Sequence, residues 1–321
     1  MIERERRVRT IKNKNETLKL AKSALETKAE EFTRLVEEVT DSMAKEANNI
    51  GGMHFRGKLV NLEPHGEATI VGDIHGDLES LAHIINDSGF LQEANHKEDV
   101  TLIFLGDYGD RGRYSAEVYY VVFSLKRQFP KNVILMRGNH EGPKDLSVSP
   151  HDLPYQFQQR FGELGETAYS ALRKLWDQLY TSVLVEDRVA LIHGGFPTNA
   201  RSVEDLADAH QTHPKTTFLE EMLWNDPDDT VSDAVASPRG AGRLFGENVT
   251  EALMEMLRVN VLIRGHEPCH DGFKLNHNGK VLTLFSRKGE PYFNDQGAYL
   301  RLNLSSKPMN AEKLLPWISQ F

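Results

Sequence analysis

Val100-Thr101-Leu102-Ile103-Phe104-Leu105 runs directly into Gly106-Asp107-Tyr108-Gly109-Asp110-Arg111-Gly112. A short apolar run rich in β-formers, stopped by glycine and charged residues, reads as a buried strand ending in a turn. Four other runs end the same way. Ala68–Val71 leads into Gly72-Asp73-Ile74-His75-Gly76, and Val133–Met136 into Arg137-Gly138-Asn139-His140-Glu141. Val189–Ile192 leads into His193-Gly194-Gly195, and Val261–Ile263 into Arg264-Gly265-His266. Ligands of layered α/β proteins gather just outside the carboxyl ends of strands. Five such ends carrying carboxylate, imidazole and amide groups predict one metal site.

Around these strands, 78–88 and 115–128 read as helices, and 157–179 as one or two more with breaks near Gly162 and Gly165. Residues 198–240 read as polar and loop-rich. Val281–Phe285 and Ala298–Leu304 read as late, hairpin-like strands. The pattern predicts an α/β (α+β) protein with mixed sheets covered by helices. Residues 1–52 differ from the rest. Leu18, Ala21, Leu25, Ala29, Phe32, Val36, Val39 and Met43 recur at helical steps. They predict an amphipathic helical extension that packs on the main domain or serves partner binding or self-association. Asn13 and Glu16 form a capping-box pattern, and Gly51-Gly52 is the expected stop. The heptad phase breaks between Leu25 and Ala29. The catalytic domain is expected over 53–305, with 306–321 as a tail packed on it.

Composition narrows the function. The chain has 321 residues with 39 % hydrophobic and 26 % charged side chains, enough for a sizeable core. No apolar run approaches the roughly 18 residues of a membrane span, and the charged start does not resemble a secretory signal. A net charge of −9 argues against a general nucleic-acid binder. The single cysteine, Cys269, excludes an intrachain disulfide and fits a reducing cytoplasm.

Asp73, His75, Asp107, Asn139, His193 and His266 are too many ligands for one tetrahedral ion with an open position. They suit two divalent ions sharing a bridging carboxylate, with Asp107 as the natural bridge. Arg111 and Arg239 are candidate clamps for phosphate oxygens. His140 follows a candidate ligand and is placed to protonate a leaving alkoxide, with Asp110 holding its other nitrogen. Glu141 is read as a group that supports the neighbouring ligands or bonds backbone. His54, His65, His83, His96, His151, His210, His213 and His277 show no partner pattern and are read as surface or core residues.

The blocks Gly72–Gly76, Gly106–Gly112 and Arg137–Glu141 resemble the signature blocks of PPP-type serine/threonine protein phosphatases. These belong to the calcineurin-like metallophosphoesterase fold. His193-Gly194-Gly195, Leu223-Trp224-Asn225-Asp226-Pro227, Arg239-Gly240 and His266 fall in that family's order. The resemblance covers about residues 53–305. It implies a central β-sandwich of mixed sheets flanked by helices. It places Asp73, His75 and Asp107 on a first metal, and Asp107, Asn139, His193 and His266 on a second. It gives phosphate binding to Arg111, Arg239 and Asn139, and the general-acid role to His140 with Asp110. The implied reaction is one-step hydrolysis of phosphoserine and phosphothreonine by a hydroxide bridging the ions. Mn²⁺ is the expected ion in vitro, with Fe, Zn or Co as alternatives. The implied partners are phosphorylated proteins, with neither nucleic acid nor membrane. The alternative is a dinucleoside polyphosphate hydrolase or other phosphoesterase of the same fold. Two departures stand out. Gly109 replaces a larger apolar residue, which is expected to loosen the turn. Arg287-Lys288-Gly289-Glu290 breaks the family pattern, and Tyr292 is expected to stand in for the family's active-site tyrosine.

Overall fold

The computed structural model describes residues 15–46, 49–96 and 99–321. The first strands are β1 (Met53–Arg56), β2 (Leu59–Leu62), β3 (Glu67–Val71), β4 (Val100–Phe104) and β5 (Val133–Leu135). They are followed by β6 (Ser182–Val185), β7 (Val189–Ile192), β8 (Asp226–Pro227), β9 (Ala234–Ala236) and β10 (Arg243–Phe245). The last are β11 (Val261–Arg264), β12 (Phe273–Asn276), β13 (Val281–Leu284), β14 (Ala298–Asn303) and β15 (Ile318–Gln320). A seven-stranded sheet has the order β1-β2-β6-β7-β11-β13-β12, and a five-stranded sheet the order β15-β14-β3-β4-β5. A small third sheet joins β8, β10 and β9. Both large sheets are mixed. β3, β4 and β5 run parallel, with Ile70 beside Ile103 and Ile103 beside Ile134. β7 and β11 are also parallel, with Leu191 beside Ile263.

Alternation along β7 explains the layering. Successive side chains of a strand point to opposite faces. Val189 and Leu191 join the apolar core shared with Ile70, Leu102 and Ile134 of the other sheet. Ala190 and Ile192 face a second core, with Leu219, Met222 and Leu253 from two helices. The two large sheets therefore pack face to face, and helices cover the outside.

Helices 78–88 and 115–128 form as expected, as Leu78–Ser88 and Ser115–Gln128. The helical run near Gly162 divides into Leu153–Phe161, a 3₁₀ turn and Gly165–Trp176. Four expectations change. The N-terminal helix is two segments, 15–26 and Ala29–Ala44, and it stops well before Gly51-Gly52. The break falls where the heptad phase slips, and Arg160 Nη2 donates to the carbonyls of Ala24, Leu25 and Thr27 that the break exposes. Asn13 of the expected capping box lies outside the described residues. The 198–240 stretch holds three short helices, Val203–Ala207, Ala209–Thr212 and Phe218–Trp224, because a Ser202–Asp205 capping box starts one and buried Leu206, Leu219 and Met222 anchor them. β13 and β14 are not a hairpin: β13 pairs with β12 and β14 with β3. The segment between them carries the chain from one sheet to the other.

The face Phe32, Leu35, Val36, Val39 and Met43 is buried against the body. The Phe32 ring sits 5.3 Å from Phe157 and 5.4 Å from Phe161, and burying one such ring contributes about 1.5–3 kcal/mol. Beyond this helix, Glu46 forms a buried ion pair with Lys126 at 2.7 Å and accepts from Tyr180 Oη at 2.6 Å. At the other end, β15 pairs with β14, and Phe321 stacks on His83 at 4.6 Å. No helix among the described residues is long and apolar enough to cross a membrane.

Candidate metal centre and active site

The parallel strands deliver their carboxyl ends to one place. Asp73 and His75 follow β3, Asp107 follows β4 and Asn139 follows β5, while His193 and His266 follow β7 and β11 of the facing sheet. All six are buried. His75 Nε2 lies 3.4 Å from Asp107 Oδ2 and 3.8 Å from Asp73 Oδ2, and His193 Nε2 lies 3.4 Å from Asp107 Oδ1. The ligating atoms of Asp107, His193 and His266 fall within 4.8 Å of one another, and so do those of His75, Asp107 and His140. Asp107 is the shared member.

The turns that do this are strained. His75, Asp107, Asp110, Arg111 and His266 all have φ between +43° and +71°, a region side chains other than glycine seldom occupy. Such strain persists only where neighbours over-determine it. Glu141 is the main brace. Its carboxylate accepts from Asp107 N (2.8 Å), Tyr108 N (3.1 Å), Gly138 N (3.2 Å) and Tyr119 Oη (2.6 Å). Ile74 N and His75 N both donate to Asp107 O. Gly138 is required here, because a Cβ would stand 2.1 Å from Asp107 Oδ1. Gly109 does not loosen the turn as expected. Tyr119 and Leu153 already occupy the space its side chain would need, at 2.7 and 2.9 Å, and its carbonyl accepts from His75 Nδ1 at 2.8 Å.

The donor set fits divalent metal. His75 Nδ1 donates to Gly109 O and His193 Nδ1 to Leu105 O at 3.0 Å. Each ring therefore turns a bare Nε2 lone pair inward, the arrangement that backbone partners impose on metal-binding histidines. His193 Nε2 then faces Asn139 Oδ1 at 3.1 Å and Asp107 Oδ1 at 3.4 Å. With His193 neutral, three acceptors confront one another, which a cation resolves; without a cation, Asp107 raises the His193 ring against the downward pull of burial, and a proton on Nε2 takes the cation's place. Turning the Asn139 amide, so that its nitrogen lies 2.9 Å from Asp107 Oδ2, also relieves the clash. Asp73 Oδ2 and His266 Nε2 are buried with no hydrogen-bond partner.

Electrostatics divide the histidines. Burial, then the nearby His140, pushes His75 down to about 3, keeping it neutral. For His140 burial acts downward too, but Asp107 and Asp110 outweigh it and raise the ring above its ordinary value. Burial, then repulsion from Asp107, pushes Asp73 up to about 6. Burial also opposes charge on Asp107, yet His193 and His140 hold its carboxyl well below the usual range.

The remaining expected residues surround this centre. His140 Nδ1 donates to Asp110 Oδ2 at 2.6 Å. Arg111 Nη1 donates to Tyr292 Oη at 2.7 Å, and the Tyr292 ring stacks on His75 at 5.4 Å. Arg239 stands farther out. Its Nε donates to Asp226 Oδ2 at 2.6 Å, and Asp226 Oδ1 lies 3.9 Å from His266 Nε2. Two participants were missed in the sequence. Asp226 ties Arg239 to the buried Arg264, 2.9 Å away. His151 Nδ1 donates to the same Asp110 oxygen as His140, at 2.7 Å, and is not merely a surface residue. It lies in a loop with no strand run before it, so no pattern marked it.

Oxygen and imidazole ligands around one shared aspartate, with guanidinium alongside, suit the hydrolysis of phosphoesters. The chain belongs to the calcineurin-like phosphoesterase family, whose model matches residues 68–270. It is similar to the serine/threonine-protein phosphatase 6 catalytic subunit of Caenorhabditis elegans, with 33 % identity over 220 residues, 68 % of this chain and 63 % of that protein. It also resembles a protein phosphatase 2A catalytic subunit of Dictyostelium discoideum, with 29 % identity over 275 residues, 79 % of this chain and 85 % of that protein. A solved protein serine/threonine phosphatase from Saccharomyces cerevisiae matches with a TM-score of 0.71 over 92 % of this chain and 90 % of that one. At 19 % identity this shows a common fold. The chain spans less than two thirds of the length of the Caenorhabditis relative. Membership of the family implies divalent metal ions.

Proposed function

We propose that this protein is a metal-dependent serine/threonine protein phosphatase that hydrolyses phosphoserine and phosphothreonine in phosphorylated proteins. The observation that carries the reading is the gathering of six candidate ligands, Asp107 among them and shared, beside the His140–Asp110 pair and the Arg111 guanidinium. Asp73, His75 and Asp107 would hold one divalent ion, and Asp107, Asn139, His193 and His266 a second. Two such ions supply an activated water and Lewis-acid stabilisation of a phosphoryl group. Mn²⁺ is the ion expected to serve in an assay, and Fe, Zn or Co suit the same mixed ligands.

The chain's own residues do the rest. Tyr292 orients Arg111, whose guanidinium would bind a phosphate oxygen. Asn139 and Arg239 add further donors. Asp110 accepts the Nδ1–H hydrogen bond of His140 and keeps the ring charged, so the proton on Nε2 is the one left to pass to the departing serine or threonine oxygen. A positioned acid of this kind contributes about 10²–10⁴ in rate. Burial pushes the lone thiol, Cys269, up to about 12. A single reduced cysteine suits the cytoplasm, where we place the protein.

The test is phosphate release from a phosphothreonine peptide by chelator-stripped protein, with and without Mn²⁺. Release that depends on Mn²⁺ is expected. No release under either condition sinks the reading.

A further inference from the structure

Two clefts border the site. One, of about 720 Å³, runs past Arg111 and mixes its charges, with Arg113, Arg287 and Lys288 against Asp77, Glu79 and Glu290. The other, of about 610 Å³, has Asn139 and His140 in its wall and is one-sided. Lys144, Arg173 and Lys174 line it, and Asp177 is its one carboxylate. That carboxylate is already engaged by Arg137 at 3.0 Å. Arg173 is held in place by Trp176, 4.5 Å beneath its guanidinium, and by Gly142 O at 3.2 Å. Among the described residues neither Lys144 nor Lys174 has a carboxylate within ion-pair distance. Lys174 also borders an adjoining hollow that holds Glu37, Glu163 and Glu166, but only Asp177 among the carboxylates lines the cleft itself, so in a chain of net charge −9 a basic cleft that opens from the proton donor is a local reversal of the overall field. Clefts lined by one sign of charge concentrate ligands of the other sign.

We infer that this cleft receives the segment flanking the phosphorylated residue and selects acidic side chains there, with Lys144, Arg173 and Lys174 as its anion-binding groups. Resting on the protein-phosphatase reading above, it names the substrate class that reading leaves open: acidic phosphopeptides. The occupant is the substrate itself, because the cleft is continuous with Asn139 and His140. Each exposed pair contributes little, so two or three together should give about a tenfold preference.

The experiment compares phosphothreonine peptides carrying glutamate, alanine or lysine at the flanking positions, on each side in turn. It uses the metal-loaded wild type and the Lys144→Glu/Lys174→Glu double variant. The wild type should favour the glutamate peptide by about tenfold in kcat/KM through KM, and lose that preference at about 1 M salt, where screening reaches about 3 Å. The double variant should favour the lysine peptide while hydrolysing p-nitrophenyl phosphate as the wild type does. Lys144→Ser, a change at one exposed loop position, should give a smaller loss of the same kind if the double variant folds poorly. Equal KM for the three peptides, or an acidic preference that survives in both variants, overturns the inference alone. Hydrolysis of p-nitrophenyl phosphate with no hydrolysis of any peptide overturns the protein-phosphatase reading, and the cleft's role with it.

Discussion

The floor of the site and its rim are built on opposite principles. The floor, from Asp73 to His266, is buried and strained, and backbone groups hold the sides of its residues that face away from the centre. The Asp110 carboxylate alone accepts from His140, His151 and the backbone N–H groups of Asp152 and Leu153. The rim has few ties. Tyr292 is half-buried next to Phe293, which is 73 % exposed, and the Lys144 and Lys174 side chains reach into solvent. Where geometry must be held to a fraction of an ångström, the chain spends buried hydrogen bonds on it. Under the proposed function the rim is where varied polypeptides would enter, and there the side chains are exposed.

The largest effects should therefore come from the floor. Asp107→Asn removes charge from the residue shared by both ligand groups. It should cut turnover by at least about a thousandfold, equivalent to about 4 kcal/mol, and reduce bound metal measured by elemental analysis. Normal turnover with full metal content would break the bridging role. His140→Asn should lower turnover on a phosphothreonine peptide by about 10²–10³ with metal retained. With p-nitrophenyl phosphate, whose leaving group needs no proton, the loss should be several-fold at most. An equal loss on both substrates would show that His140 supports the floor and does not donate a proton.

The same division decides what could be seen in the sequence. Floor residues end apolar strand runs, so Asp107 and His193 were legible from a local pattern. Glu141 was legible as a backbone-bonding group because it follows directly on Asn139 and His140. The part played by His151 was not, because it reaches the site from a loop whose course depends on packing elsewhere, and Asp226, though its block was recognised, showed no partner in the sequence because Arg239 and Arg264 meet it only in the fold. The sheet exchange between β13 and β14 was hidden for a like reason: both runs read as strands, and strand pairing is a tertiary choice. The break in the N-terminal helix was half visible. The phase slip marked its place, but the guanidinium of Arg160 that satisfies it lies more than a hundred residues away.

Beneath the floor, Glu141→Ala should unfold the brace. It leaves the N–H groups of Asp107, Tyr108 and Gly138 without their partner. At about 1 kcal/mol or more for each buried donor, a loss of about 3 kcal/mol is expected in urea denaturation. A loss below 1 kcal/mol would mean that the strained turns hold themselves. On the rim, Tyr292→Phe removes a single hydrogen bond to Arg111. A drop of about tenfold in kcat/KM, with stability unchanged, would match one charged hydrogen bond. A thousandfold drop would move Tyr292 into the floor.

The smallest expected effect concerns Lys58, a cation between the two regimes. Its Nζ donates to Gln178 at 3.3 Å. Burial, then repulsion from Arg137, pushes it down to about 8 from an ordinary value of 10.5. Between these values the unfolded chain holds the proton and the folded chain releases it. The unfolded state then binds more protons, so Lys58 makes stability rise with pH across that window. Cys269 acts in the opposite sense, because the unfolded thiol ionises first while the buried one stays neutral. The comparison must therefore be between proteins, not between pH values alone. Urea midpoints of the wild type and Lys58→Met, measured at about pH 7.5 and pH 9.5, should show a more positive pH slope in the wild type. Identical slopes would mean that Lys58 is as well hydrated as Lys144 and Lys174, and that the floor ends short of it.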